Sequence, residues 1–281
     1  MRKKLLISVI VILVIAYLSP MAVNLVINSL PQDDNESIYE NANLAKEIEL
    51  QKGDYIYFGS YNDEAILWNV IEDSSNSAVL FSEKILCFKS FDAKCDSCEG
   101  HSTSDLQKFG TADYKYSAIR QWLNSESDKV SYKNAVPSSK NVFMGKNGYE
   151  HEAGFLSSQN FQASQREKIE SVFLLSQNQL NKIPQKKRTK SATNAAIKNN
   201  ESPFIVLPNM KMWYWTSSDI KTNKVSVCTV TSSGNFYKAL AFDSTTGICP
   251  ALKLNTKKLV AAKGDGSKSN PYVICRGGES A

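Results

Sequence analysis

Hydrophobic and polar residues alternate in three neighbouring stretches that begin just after Gly53. The stretches "DYIYFGSY", "AILWNVIE" and "SAVLFSE" are rich in aromatic and β-branched residues, and short polar turns separate them. Alternation with a period of two is typical of strands that bury one face. The pattern therefore predicts an antiparallel meander of three strands.

Helical spacing follows the meander. Apolar residues recur along one face of "YKYSAIRQWLN", which predicts a first helix. A second helix is predicted to begin at "SQREKIE", where Ser164 and Glu167 have the spacing of a capping box. A third is predicted after Ser176 and ends before Pro184, because proline interrupts helices.

Strand patterns return in the C-terminal third of the chain, in "PFIVLP", "MWYWTSS", "KVSVCTV", "NFYKALAF" and "ICPALKLN". Ser233 and Gly234 indicate a hairpin between the third and fourth of these strands. Strands come first, helices follow, and strands return, so the predicted fold class is α+β with antiparallel strands and two or three helices.

The N-terminal segment is apolar and follows three basic residues. From Leu5 to Ile27 there are about 23 residues, enough to cross a hydrocarbon core of roughly 30 Å. We therefore expect residues 1–4 to form a cytoplasmic tip and residues 5–28 to form a transmembrane signal anchor. A cleaved signal peptide is the alternative interpretation.

Charges around this segment predict its orientation. Basic residues precede it and acidic residues follow it, which places the N-terminus in the cytoplasm. The sequence thus predicts a single-pass protein of the cell membrane with a juxtamembrane stalk or helix over 29–50. Residues 51–281 are predicted to form one extracytoplasmic domain, with an exposed basic loop over 184–202.

Net charge narrows the choice of partners. The 281-residue chain has a formal charge of +5, which falls to +2 without Arg2, Lys3 and Lys4. So small an excess argues against binding nucleic acid through charge. The predicted partners are the membrane and an envelope protein, peptide or polysaccharide.

Cysteines carry the most distinctive chemistry. The chain has six of them, at Cys87, Cys95, Cys98, Cys228, Cys249 and Cys275. In "CDSCEGH", Cys95, Cys98 and His101 have the spacing of zinc ligands, with Cys87 as a fourth. Outside the cytoplasm an even number of cysteines favours disulfides instead. The expected chemistry is therefore disulfide formation, with a redox role for Cys95 and Cys98 as an alternative and no metal ion.

The pairing of these cysteines stays open at this point. Cys228 and Cys249 belong to strands that we expect to be neighbours, which makes a bridge between them plausible. Cys95 and Cys98 either bond to each other or pair separately with Cys87 and Cys275.

Eight segments, in this order along the chain, resemble a bacterial family labelled only as domain of unknown function 6273. The segments are "GDYIYFGSY", "AILWNVIE", "AVLFSEKIL", "SAIRQWLN", "GFLSSQNFQASQREKI", "FLLS", "WYWTSSD" and "GICPALKLN". The resemblance also implies a C-type lectin-like fold, shared with domains of the formylglycine-generating-enzyme type. Cys249 replaces an arginine of the family's closing motif, so any role of that arginine is absent here.

A ligand surface is predicted near the strand "WYWTSSD". Alternate side chains along a strand share a face, so Trp213 and Trp215 are expected in the core and Tyr214 on the opposite side. Tyr214 with Ser217, Ser218 and Asp219 would then offer an aromatic platform beside polar groups, which suits sugars or peptides. No catalytic residue or cofactor is predicted, so the favoured function is a non-catalytic binding or interaction module. The alternative is an enzyme of thiol–disulfide exchange that uses Cys95 and Cys98.

Overall fold

The computed structural model describes residues 46–133, 135–144, 149–200 and 204–274, all of which belong to one unit of the chain, 33–281. Within the described residues there are fifteen strands and six short helices. The strands are β1 (Lys46–Glu47), β2 (Tyr55–Tyr61), β3 (Glu64–Ser74), β4 (Ser77–Ser82), β5 (Cys87–Phe88), β6 (Ile169–Phe173), β7 (Lys190–Ser191), β8 (Lys211–Met212), β9 (Tyr214–Ile220), β10 (Asn223–Val230), β11 (Phe236–Leu240), β12 (Gly247–Ile248), β13 (Ala251–Asn255), β14 (Val260–Lys263) and β15 (Tyr272–Ile274). The helices are α1 (Ser104–Phe109), α2 (Ala118–Leu123), α3 (Ala163–Arg166), α4 (Gln177–Asn181), α5 (Gln185–Arg188) and α6 (Asn194–Lys198).

The larger sheet has eight strands in the order β1-β14-β15-β2-β3-β4-β13-β6. The predicted meander forms its centre, because β2, β3 and β4 are antiparallel neighbours. Trp68 of β3 lies opposite Ile56 of β2, and its indole N–H donates to the carbonyl of Phe58 at 2.8 Å. This bond satisfies the one polar atom of a fully buried ring.

A second sheet has five strands in the order β11-β10-β9-β12-β5. The predicted hairpin is confirmed: β10 and β11 are antiparallel, and the amide of Thr231 donates to the carbonyl of Asn235 at 2.8 Å. Gly234 has φ +79° in this turn, a conformation that glycine adopts without strain. β7 and β8 form a separate two-stranded ladder.

One hydrophobic core joins the two sheets and α2. It contains Ile56 and Leu252 from the larger sheet, Trp215 and Val227 from the smaller one, and Trp122 from α2, all at most 1% exposed. Burying aromatic side chains of this size gives the largest apolar contribution per residue to the free energy of folding.

Gly59 lets the loop before α3 pack directly on the larger sheet. A Cβ at this position would lie 2.2 Å from Cε1 of Phe161, and φ is +70°. The register of β2 against β3 shifts at the same place, between Tyr57 and Ser60. A bulge built on glycine therefore creates the space that the Phe161 ring fills.

The predicted fold class, α+β with two or three helices, is wrong. The described part of the chain is mostly β, and its helices have only four to six residues. The helix predicted at "SQREKIE" shows the cause. It spans only Ala163–Arg166, Gln162 caps it instead of Ser164, and the chain then enters strand β6, which pairs with β13. Long-range strand pairing thus overrides the local helical pattern.

Two other helix predictions hold in shortened form. Ser117 caps α2 by accepting from the amide of Arg120, and Ser176 caps α4 in a capping box with Gln179. The segment 184–202, predicted as an exposed basic loop, instead contains α5, β7 and α6, and Lys190 within it is buried. "PFIVLP" forms no strand at its described residues, 204–208.

The structure also corrects the predicted membrane architecture. A helix needs about 20 apolar residues to span a bilayer, and no helix in the described ranges has the required length and apolar character. Residues 1–4, 5–28 and 29–45, which carry the predicted tip, anchor and most of the stalk, lie outside those ranges. The end of the predicted stalk belongs to the folded unit, since Lys46–Glu47 forms β1 and Leu50 is buried. The membrane, anchor and localisation predictions therefore find no support in the part of the chain that the structure describes.

Candidate binding cleft beside the Cys95–Cys98 disulfide

A cleft of about 440 Å³ opens between the segment 100–116 and the smaller sheet. Its volume lies within the roughly 300–1,000 Å³ that is typical of small-molecule sites. The lining is mixed: two tyrosines, two carboxylates, one lysine and several hydroxyl groups face the same space. The polar groups used below are Asp113, Tyr114, Tyr116, Ser217, Asp219 and Lys224.

Most of the lining comes from three parts of the chain, to which α1 adds Leu106 and β10 adds Lys224. The loop after the disulfide contributes Gly100 and Ser102, and the connection from α1 to α2 contributes residues 111–114 and Tyr116. β9 contributes Ser217 and Asp219. The amide of Ala112 donates to the carbonyl of Lys224 at 2.9 Å, which joins the second wall to the sheet.

The buried side chain of Asp92 connects two of these walls. Its side chain is fully buried, and Oδ2 accepts from the amide of Thr111 at 2.9 Å, while Oδ1 accepts from the amide of Ala118 at 3.2 Å. The same Oδ2 lies 3.0 Å from Nε2 of His101, in the loop between Gly100 and Ser102. One carboxylate therefore fixes the disulfide loop, the cleft wall and the start of α2 relative to one another.

His101 is equally buried and faces acceptors on both ring nitrogens. Nδ1 lies 3.3 Å from the carbonyl of Glu99, and Nε2 lies 3.2 Å from the carbonyl of Ala93 as well as beside Asp92. Burial lowers the pKa of His101, but the hydrogen bond and charge of Asp92 outweigh it, so the pKa is raised. A neutral imidazole donates from only one nitrogen, so this geometry favours the imidazolium.

A disulfide between Cys95 and Cys98 closes the loop at the rim of the cleft. Their Cα atoms are 5.7 Å apart, and both residues are partly exposed. The amide of Ala135 donates to Sγ of Cys98 at 3.1 Å. Gly100 then turns the chain with φ +84°, and a Cβ there would lie 3.0 Å from Cβ of Tyr116. The disulfide loop therefore packs directly against an aromatic side chain of the cleft.

Residues 75–256 match the family described as a domain of unknown function, DUF6273, and this range includes every residue that lines the cleft. The chain belongs to the DUF6273 family. No curated protein and no solved structure shows a significant match to it. The family match thus confirms the resemblance for the six of the eight segments that lie within 75–256, whereas a bacterial origin and a lectin-like relation are not shown by it.

In this DUF6273 domain the predicted ligand residues separate into two groups. Ser217 and Asp219 line the cleft. Tyr214 is only 1% exposed, and its hydroxyl donates to the carbonyl of Arg188 at 2.9 Å. The Oγ of Ser218 accepts from the amide of Gln177 at 2.9 Å, at the start of α4. Tyr214 and Ser218 are therefore structural.

Sequence reasoning missed the aromatic and acidic side of the cleft. The short run "DYKY", Asp113 to Tyr116, supplies a carboxylate and both tyrosines of the lining. An acidic residue next to paired aromatics on a connection between helices is the signal that points to this site. Burial raises the pKa of Tyr114, so its phenol keeps its proton near neutral pH.

The remaining described cysteines, Cys87, Cys228 and Cys249, are buried free thiols, and Cys275 lies outside the described residues. The expected Cys228–Cys249 bridge is absent because β9 lies between β10 and β12. Burial raises the pKa of Cys87 and of Cys249 to about 12, which makes both thiols unreactive at neutral pH.

The side chains of "CDSCEGH" are also not arranged as zinc ligands. Cys95 and Cys98 are bonded to each other, and His101 contacts Asp92. Across the described ranges, no group of three or more His, Cys, Asp or Glu side chains is arranged to hold a metal ion.

Proposed function

We propose that this DUF6273 domain is a non-catalytic binding module whose cleft takes a short saccharide segment. The observation that carries the proposal is the composition of the cleft lining, in which tyrosines stand beside carboxylates and hydroxyl groups in about 440 Å³. An aromatic face packs on the apolar side of a sugar ring, and carboxylates accept hydrogen bonds from neighbouring sugar hydroxyls. Asp113 and Asp219 would accept, while Ser217 and Lys224 would donate.

Preorganisation supports the same proposal. Asp92 fixes the walls through three contacts, and the disulfide constrains the chain directly before the loop of Gly100 and Ser102. A binding site whose walls are already ordered loses less conformational entropy when the ligand enters. Such an arrangement favours recognition of a ligand without any movement of the chain.

Calorimetric titration of the full chain with neutral tri- to hexasaccharides tests this function. We expect at least one saccharide to bind, and Asp219→Asn to weaken its Kd by about tenfold, the usual effect of one lost hydrogen bond to a charged group. Asp128→Asn, an exposed carboxylate away from the cleft, serves as the matched control.

Three results would contradict the proposal. The first is no binding across the saccharide panel. The second is binding of short peptides alone, which would make the cleft a peptide site. The third is the appearance of shortened saccharides during the titration, which would make the domain an enzyme.

Thiol–disulfide exchange is the second candidate function, supported by the hydrogen bond from Ala135 to Cys98 Sγ. A donor at this sulfur stabilises Cys98 as a thiolate leaving group. A thiolate of a partner dithiol would attack Cys95 and release Cys98, and the partner's second thiol would resolve the mixed disulfide. The partner is then oxidised by two electrons, and the domain holds two thiols.

Intact mass after alkylation checks this exchange with dithiothreitol and with a reduced dithiol peptide. We expect the peptide to be oxidised in step with the loss of the Cys95–Cys98 bond, and Cys95→Ser to abolish the reaction without loss of the fold. A wild-type disulfide that the peptide dithiol leaves intact would rule out this function.

A further inference from the structure

The outer edge of the five-stranded sheet carries an unpaired strand. Among the described residues, β11 pairs only with β10, in a regular register from Val230 opposite Phe236 to Ser226 opposite Leu240. The edge is solvent-accessible along its length, since Tyr237 and Leu240 are 58% and 36% exposed. This surface, Phe236–Leu240, is called the β11 edge below.

The hairpin geometry determines which backbone groups face outward. Thr231 and Asn235 form a hydrogen-bonded pair, so Tyr237 and Ala239 bond inward to β10 by the alternation of an antiparallel ladder. The N–H and C=O groups of Phe236 and Lys238 therefore point away from the sheet. Backbone donors and acceptors in this arrangement are a template for one more strand.

Side chains at the β11 edge are more apolar than those of an edge strand that is protected against further strand pairing. The Tyr237 ring forms an edge-to-face pair with Trp213, at 5.6 Å between centroids, and Trp213 is itself 37% exposed. Proteins usually shield free edges with charge or proline, and β11 carries one such charge, Lys238. Two neighbouring exposed aromatic rings are instead enriched at interfaces, where they contribute much of the binding energy.

Charge at the edge is basic and selects the kind of partner. Lys238 is exposed on the strand itself, and the Arg188 guanidinium lies 4.7 Å from the centre of the Phe236 ring. Helix α5, which carries two further exposed lysines, is attached to the hairpin because Gln185 donates to the carbonyl of Ser233 at 3.0 Å. A second copy would place its own Lys238 near this one, so like charges oppose self-pairing.

We propose that the β11 edge is a docking site for an extended acidic segment of a partner protein, which adds to the sheet as a sixth strand. Its backbone would pair with Phe236 and Lys238, and its carboxylates would face Lys238 and Arg188. An apolar residue between the carboxylates would pack on Tyr237 and Trp213. The site is separate from the cleft, so the proposal stands or falls independently of saccharide binding.

The test uses the full chain and a capped seven-residue peptide that alternates glutamate with valine. We expect the acidic peptide to bind at least tenfold more tightly than its lysine-for-glutamate counterpart in fluorescence anisotropy. Lys238→Pro removes one outward N–H at a position where edge strands tolerate proline, and it should weaken the Kd by a further tenfold relative to Lys238→Ala. The comparison with Lys238→Ala separates the backbone bond from the lost charge.

Hydrogen exchange gives a readout that needs no variant to fold. We expect the Lys238 amide to exchange at least tenfold more slowly with the acidic peptide bound, while the inward-facing Tyr237 amide is unchanged. Equal affinity for both peptides, no binding, or no protection of Lys238 would overturn the proposal. Dimerisation in sedimentation that Lys238→Pro abolishes would also overturn it, in favour of a second copy as the occupant.

Discussion

The ion pair of Asp92 with His101 is fully buried, whereas that of Glu83 with Lys190 is partly exposed at its carboxylate. The Asp92 and His101 side chains are 1% and 0% exposed, and Asp92 also accepts from the backbone amides of Thr111 and of Ala118 at the start of α2. Glu83 keeps 23% exposure and contacts a second, exposed lysine, Lys268, as well as Lys190 at 3.4 Å. The Asp92 carboxylate is paired with His101, whereas the charge of the Glu83 carboxylate is shared with Lys190, Lys268 and solvent.

This difference indicates which of the two ion pairs the fold depends on. Removing Asp92 leaves two amides without their acceptor and a buried imidazolium without its counter-charge, which is costly. Lys190 is different because burial lowers its pKa despite the opposing charge of Glu83. Its ammonium also lies 4.3 Å from the centre of the Phe81 ring, a place that an apolar side chain can fill. The Asp92 pair is thus needed for the cleft, and the Lys190 pair is replaceable.

The largest expected effect is that of Asp92→Ala. The free energy of unfolding should fall by about 3–5 kcal/mol, because a buried imidazolium loses its counter-charge and two amides lose their acceptor. Urea denaturation at pH 6 measures this, with Asp128→Ala as the exposed control. If Asp92→Ala does not fold, Asp92→Asn keeps one acceptor and should still lose at least 1 kcal/mol, on the order of one buried unsatisfied group. A smaller loss would contradict the role assigned to Asp92.

Removal of the disulfide should have the next largest effect. Cys95 and Cys98 close a short loop, so the double change to serine should lower the free energy of unfolding by about 2 kcal/mol. Reductant should destabilise the wild type by a similar amount and leave the double variant unchanged. Equal sensitivity of both proteins to reductant would show that the bond does not stabilise the loop.

The pH dependence of stability should reveal His101. Its pKa in the folded state is raised above its unfolded value of about 6.5. The contribution of the Asp92 pair is therefore complete below that unfolded value and is lost as pH rises through the folded pKa. Denaturation midpoints of the wild type should fall as the pH rises above about 6.5, and His101→Gln should flatten this part of the profile. An unchanged slope in His101→Gln would remove the imidazolium from the explanation.

Lys190→Met should have the smallest effect. We expect the free energy of unfolding to change by less than about 1 kcal/mol in either direction, because Glu83 keeps Lys268 and methionine packs against Phe81. The same urea denaturation measures it. A loss as large as that of Asp92→Ala would erase the distinction between the two pairs.

The central meander and the hairpin could be predicted because their partners are neighbours in the sequence. Strand β13 could not be placed, since it lies between β4 and β6, which precede it by many residues. The pairing of β6 with the distant strand β13 also ends α3 after one turn. Pairings of this kind make the domain mostly β instead of the expected α+β. Periodicity reports the faces of an element, but it does not report which element covers them.

The cleft illustrates the same limit at the level of single residues. Ser217 and Asp219, which the sequence placed on a loop after the strand, lie within β9 itself and line the cleft. Tyr214 was misplaced because its face of β9 is covered by Phe81, whose ring centre lies 6.2 Å from that of Tyr214. No local sequence pattern indicates the role of Asp92, because the amides that it contacts lie 19 and 26 residues further along the chain.

The two ends of the described domain lie on opposite sides of the same residue of β14. Lys46 of β1 and Ile274 of β15 both pair with Ala261, one on each side of β14. Neighbouring strands are about 4.8 Å apart, so these ends are roughly 10 Å from each other. A linker of a few residues could therefore join them, and the chain could be reopened elsewhere as a circular permutant. For the same reason the domain can be inserted into a loop of another protein while its cleft and its β11 edge stay unchanged.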